Sequence, residues 1–220
     1  MNDFCIIIQG PSNYVGTIKD SFTQCNIPLI FSTWNNELDK YNESDIVVLN
    51  EKPEHNGVGN INLQMKTTLG GLNKAKELGF KRALKFRSDM IPTNPLKFIE
   101  FFKDNMLTFF CWHYAPQGSV SGYMVDYFMA GEIDDLIKIW TIDNYNHWIA
   151  EVIMTNNIIH HLSDSKPKFI INDLTNENDI YWLKYNQKLS EYKTINSGSY
   201  FGAIDLNNEQ IIGEYKNIFN

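Results

Sequence analysis

The chain has 220 residues, 43% of them hydrophobic and 20% charged, with a formal net charge of −7. A soluble chain of this size buries roughly 70–75% of its extended surface, enough for one substantial core. The acidic balance and the lack of any Lys/Arg run exclude a general nucleic-acid binder, whose affinity rests on phosphate neutralisation.

Phe4-Cys-Ile-Ile-Ile8 is a continuous apolar run, the pattern of a strand covered on both faces. Residues 14–25 carry Val15, Ile18 and Phe22 at helical spacing. Pro28 to Thr33 predicts a second strand and Asp45 to Leu49 a third. From about Asn60 a helix places Ile61, Met65, Leu69, Leu72 and Ala75 on one stripe, with Gly79 as its C-cap. A fourth strand follows at 82–87. Strands alternating with helices imply a Rossmann-like, mostly parallel α/β sheet with right-handed crossovers.

The second half is more irregular. Phe109 to Trp112 and Gly122 to Phe128 predict strands, and 132–140 and 145–162 predict helices. The tail from 175 is aromatic and polar. With no internal repeat and no long Pro/Gly/Ser linker, residues 1–220 read as one domain. Its three cysteines, Cys5, Cys25 and Cys111, are too few and too scattered for a disulfide framework or a zinc pattern. They read as small core hydrophobes in a reducing compartment. Asp3 stands where a secretory leader is basic, and no run approaches the ~18 apolar residues of a membrane span. The expected location is cytoplasmic.

Ligands of open α/β sheets bind outside the carboxyl ends of the strands. The predicted ends supply Gln9-Gly10-Pro11, Thr33-Trp34 and Arg87-Ser88-Asp89, a set suited to a nucleotide. Trp34 or Tyr14 would pack on a base; Trp34 reads equally as an aromatic plug at the sheet edge. Neither G-x-G-x-x-G, G-x-x-x-x-G-K-[ST] nor G-x-S-x-G occurs. His160 and His161 are adjacent on a predicted helix and point apart, so they do not share a metal.

Gly70-Gly71 inside the long helix costs roughly 1 kcal/mol per glycine relative to alanine. Either a ligand or another backbone must then come close, so Gln64 and Thr68 are candidate ligand contacts. Lys85 and Arg87 have the same parity on the fourth strand, and Asp89 continues that face. One carboxylate beside two cations suits a nucleoside diphosphate with Mn²⁺ or Mg²⁺, the metal being held by Asp89 and the phosphates. The bland alternative is an Arg–Asp surface pair.

Four stretches in this order resemble the WavE-type lipopolysaccharide-synthesis glycosyltransferases: "QGP", "IPLIFSTWNNE", "NLQMKTTLGGLNKAKELGFKRALKFRSDM" and "GYMVDYFMAGEIDDLIKIW". The resemblance spans about residues 4 to 155 and implies a GT-A-like fold, with a nucleotide-sugar-binding half at 1–105 and an acceptor half at 106–220. It implies transfer of a sugar from a nucleotide donor to a glycan or glycolipid acceptor, with inversion the favoured outcome and peripheral membrane contact open. Arg87-Ser88-Asp89 would stand in the place of that fold's D-x-D motif, with Arg87 where the first carboxylate belongs. Asp126 and Glu151 are the candidate bases for the acceptor hydroxyl, Glu151 being preferred. Two other readings stay open: a sugar-nucleotidyltransferase, although "QGPSNYVG" lacks that class's basic residue, and a non-catalytic nucleotide- or glycan-binding module.

Overall fold

A computed structural model describes residues 3–104, 107–113, 122–141, 154, 157, 169–172, 180–182 and 187–188. The order of elements is β1 (Phe4–Gln9), α1 (Val15–Phe22), β2 (Leu29–Trp34), β3 (Ile46–Asn50), α2 (Ile61–Glu77), β4 (Arg82–Arg87), β5 (Met90–Pro92) and α3 (Pro95–Asp104). Then come β6 (Leu107–His113), β7 (Gly122–Glu132), α4 (Ile133–Trp140), β8 (Phe169–Asn172), β9 (Ile180–Trp182) and β10 (Gln187–Lys188).

Seven strands form one sheet in the order β3-β2-β1-β4-β7-β6-β8. The first four are mutually parallel. β7 runs against β4, β6 runs against β7, and β8 is parallel to β6, so β7 alone opposes the others. β5, β9 and β10 make a small antiparallel sheet.

The two-residue period of the strands divides the core. Cys5 and Ile7 of β1 and Ala83 of β4 face α2 and α4, against Leu72, Ala75, Leu136 and Ile139. Phe4, Ile6 and Ile8, with Leu84 and Phe86, face α1 and α3, against Ile18, Phe22, Phe98 and Phe102. On that side Phe86 meets Phe22 and Phe98 edge-to-face at 5.7 and 5.6 Å and stacks on Phe128 at 5.9 Å. A strand buried on both faces needs unbroken apolar sequence, and β1 supplies it.

The C-terminal end of α2 shows why it stops where it does. Gly79, at φ 85°, closes it: the Gly79 and Phe80 N–H groups donate to the Lys76 and Ala75 carbonyls at 3.0 and 3.1 Å. Gly70 and Gly71 settle the choice left open by the sequence. A Cβ on Gly71 would lie 2.3 Å from Ile7 Cγ2, and one on Gly70 would lie 2.2 Å from Asn50 Oδ1. Both glycines let the helix press onto the sheet.

Several expected bounds shift. The helix expected over 14–25 is α1 between short 3₁₀ turns at Ser12–Tyr14 and Thr23–Cys25. β7 runs on to Glu132 because Met129–Glu132 pairs with Arg82–Lys85, and that pairing overrides the weak strand propensity of Met-Ala-Gly-Glu. α3, with Pro95 at its first position, and the strands β5, β8, β9 and β10 were not anticipated. The expected helix at 145–162 lies outside the described residues, apart from positions 154 and 157.

Candidate active site

Three strand ends are stitched into one edge. The Ser88 N–H donates to the Gln9 carbonyl at 2.9 Å, and the Gly10 N–H donates to the Ser32 carbonyl at 3.1 Å. Gly10 sits at φ 124°, and a Cβ there would be 2.6 Å from Ser88 Oγ, so only glycine lets the loops after β1 and β4 approach this closely. The Gln9 side chain donates from Nε2 to Thr67 Oγ1 of α2 at 2.9 Å. Glu37, on the 3₁₀ turn after β2, accepts from the Ser12 N–H at 3.0 Å and from the Thr33 hydroxyl, tying the β1 loop to the end of β2.

This edge borders a cavity of about 480 Å³. Gln9, Gly10, Pro11, Asn13 and Tyr14 line one side, Trp34 and the first turn of α2 (Asn60, Leu63, Gln64) a second, and Arg87, Ser88 and Asp89 a third. Residues at the start of α2 line it, and α1 begins directly after Tyr14. The N-cap of each helix makes no side-chain capping bond. The first N–H group of each helix is taken up by the 3₁₀ turn before it, Val15 by the Ser12 carbonyl and Ile61 by the Val58 carbonyl, so it is the aligned peptide dipoles at these ends that favour an anion.

The charges lie at the end of β4. Arg87 donates to both carboxylate oxygens of Asp89, Nε to Oδ1 at 2.9 Å and Nη2 to Oδ2 at 2.8 Å, and Nη1 reaches Asp126 Oδ2 on β7 at 3.3 Å. Its guanidinium also lies 5.4 Å from the Tyr127 ring centroid. Burial alone would lower the Arg87 pKa; Asp126 and the bond to Asp89 outweigh it and raise the pKa above its ordinary value. The guanidinium is therefore permanently charged. Beneath it the buried Lys85 ammonium donates to the Asp126 main-chain carbonyl and lies 4.7 Å from the centroid of the Trp140 ring.

Of the residues singled out in the sequence, Gln9, Gly10, Pro11, Trp34, Gln64, Arg87, Ser88 and Asp89 line the cavity. Three do not. Thr33 is buried and bonds Glu37, Thr68 is buried in α2, and Lys85 is sealed under Trp140. Asp126, a candidate base, is 2% exposed, is not among the residues that line the cavity, and is paired with Arg87. A charge inside an apolar strand is stable only when paired, and Arg87 is the pair. Glu151 lies outside the described residues. Asn13, Asn60 and Leu63 were missed, since no motif marks them. Glu37 also passed unnoticed, although a carboxylate four residues after a strand-end threonine is in reach of its hydroxyl.

The donor set suits a divalent cation poorly. Asp89 is a lone carboxylate whose two oxygens already accept from Arg87, and a metal bound there would sit against a guanidinium. Among the described residues no group of three or more His, Cys, Asp or Glu side chains is gathered to hold a metal.

No family model and no curated protein matches the sequence. Solved structures do match in fold. A protein described as a nucleotide-diphospho-sugar transferase from Desulfovibrio desulfuricans G20 aligns over 98% of this chain and 99% of its own, at 11% identity and a TM-score of 0.51. A protein described as a glucose-1-phosphate thymidylyltransferase from Bacillus anthracis, in complex with a sucrose, aligns over 93% and 99%, at 10% identity and a TM-score of 0.50. A glycosyltransferase involved in glycosylating the major capsid of PBCV-1 aligns over 77% and 83%, at 16% identity and a TM-score of 0.47. The chain has the mixed α/β, GT-A-like fold of nucleotide-sugar transferases. Among the described residues no helix is long and apolar enough to cross a membrane.

Proposed function

We propose that the chain is a glycosyltransferase moving a sugar from a nucleotide-diphosphate donor to a glycan or lipopolysaccharide-type acceptor, in the manner of the WavE-type enzymes it resembles. The observation that carries this reading is the cavity at the carboxyl edge of the sheet, which joins aromatic side chains, Trp34 and Tyr14, to a fixed cation, Arg87. The base would lie on the aromatic side and the diphosphate against Arg87 and the start of α2.

The chemistry follows from that placement. Cleavage of the anomeric C–O bond builds oxocarbenium character on the sugar and negative charge on the departing diphosphate. A guanidinium held in place by the buried Asp126 stabilises that charge without having to reorganise during the reaction. Inversion further requires a base for the acceptor hydroxyl. With Asp126 buried, Glu151 in the proposed acceptor half, 106–220, is the carboxylate assigned to it. The reading places the enzyme in polysaccharide biosynthesis at the cytoplasmic side of a membrane that carries the acceptor.

A panel of nucleotide sugars tests this directly. At 100 times its dissociation constant, the true donor stabilises the fold by about 2.7 kcal/mol. Incubation with that donor and glycan acceptors should release the nucleoside diphosphate. Glu151→Gln should bind donor normally and lose turnover. Release of pyrophosphate from a nucleoside triphosphate and a sugar phosphate would assign a nucleotidyltransferase instead. Donor binding without turnover would leave a binding module.

A further inference from the structure

We propose that Asp89 is an internal competitor for Arg87, occupying the guanidinium edge that the ligand's diphosphate must take. This rests on the reading that the cavity accepts a nucleoside diphosphate, and it adds how that ligand is admitted.

A guanidinium has two forked edges, Nε–H with one Nη–H and the pair of Nη–H groups, each matched to a carboxylate or a phosphate, and Asp126 on Nη1 obstructs the second of them. Asp89 fills the first edge, its oxygens 2.9 and 2.8 Å from Nε and Nη2. Asp126 holds the remaining nitrogen, Nη1, at 3.3 Å. The two carboxylates differ in exposure. Asp126 is 2% exposed within β7, and Lys85 bonds its main-chain carbonyl. Asp89 lies in the short turn between β4 and β5, lines the cavity, and has a 19% exposed side chain. Arg87 thus has one fixed counter-ion and one at the mouth of the ligand site.

Two anions cannot share one donor edge, and like charges repel at contact distance. An entering diphosphate must therefore evict Asp89, while Asp126 keeps the guanidinium in place. The exchange conserves the hydrogen bonds of Arg87 and sets a threshold. A diphosphate, with several charged oxygens, displaces the carboxylate, whereas a free carboxylate, with a single charge, only matches it. Asp89 then acts as a specificity-determining residue.

Calorimetric titration of UDP, GDP, CDP, ADP, dTDP and inorganic pyrophosphate in EDTA tests this on the wild type, Asp89→Asn, Arg87→Lys and the double variant. Asp89→Asn should tighten the best-bound nucleotide and pyrophosphate at least fivefold, with its melting cooperative. Arg87→Lys, which lacks the forked edge, should weaken both at least tenfold, and adding Asp89→Asn to it should restore nothing. Unchanged or weaker binding in Asp89→Asn, beside normal binding in the wild type, overturns the proposal alone. So does Mn²⁺ tightening the wild type and not Asp89→Asn, which would make Asp89 a metal ligand. Failure of all six ligands to bind any of the folded proteins would overturn the donor-site reading together with this one.

Discussion

β4 and β7 are joined by an arginine–carboxylate pair at each end, and the two pairs differ in almost everything else. At one end Arg82 Nε lies 3.7 Å from Glu132, whose side chain is 51% exposed. At the other, Arg87 is forked onto Asp89 and tied to the buried Asp126 at the edge of the cavity. The same two strands carry both. What separates them is the carboxylate: Glu132 reaches water and its pair contributes little, whereas Asp126 is buried and cannot lose its partner cheaply. The second geometry is what a preorganised anion site needs.

The largest expected difference comes from removing each arginine. Arg87→Ala leaves Asp126 buried without this partner and should destabilise the fold by about 3 kcal/mol in urea unfolding. It should also raise the nucleotide dissociation constant roughly thirtyfold, the worth of about 2 kcal/mol in hydrogen bonds to a charged group. Arg82→Ala should cost less than Arg87→Ala and leave nucleotide affinity unchanged. Equal effects at the two ends would erase the distinction drawn here.

Gly10→Ala probes the same edge through the backbone. With φ at 124° and Ser88 Oγ 2.6 Å from the new Cβ, the loops must part, at roughly 1–3 kcal/mol. Nucleotide affinity should fall with stability. Gly71→Ala makes the contrast, since its Cβ meets Ile7 beneath α2, away from the cavity. It should cost roughly 1–3 kcal/mol by overpacking while the folded fraction binds nucleotide as tightly as the wild type. A Gly71→Ala protein that folds but binds tenfold more weakly would couple the helix packing to the site.

The smallest effect belongs to the surface. Lys76 bonds Asp134 at 2.6 Å, and that bond is the main cause holding the Asp134 pKa below its ordinary value. In Lys76→Ala an NMR titration should find the Asp134 pKa risen, with the melting temperature unmoved. A lower melting temperature would show that exposed pairs matter here as well.

What was legible in the sequence divides along similar lines. β1 and the core of β4 were readable because a strand covered on both faces must be apolar throughout, and α2 because its stripe and Gly79 are local signals. Arg87 and Asp89 were readable as charges ending an apolar run. The fate of Lys85 was not: it shares its parity with Arg87, but Trp140, which covers it, is distant in the sequence. The burial of Asp126 was hidden for the same reason, since its pairing with Arg87 depends on β7 lying beside β4. Local sequence marks where charge is concentrated; tertiary pairing decides which charges face the ligand.

The central claim is that the cavity between Trp34 and Arg87 holds a nucleoside diphosphate. A crystal structure of the protein with the nucleotide that binds it most tightly tests this most directly. The account predicts the base beside Trp34 or Tyr14 and a phosphate oxygen within hydrogen-bonding distance of Arg87. Nucleotide bound elsewhere, for instance in the groove between Lys19 and Pro28 at the opposite edge of β2, with this cavity empty, would contradict it.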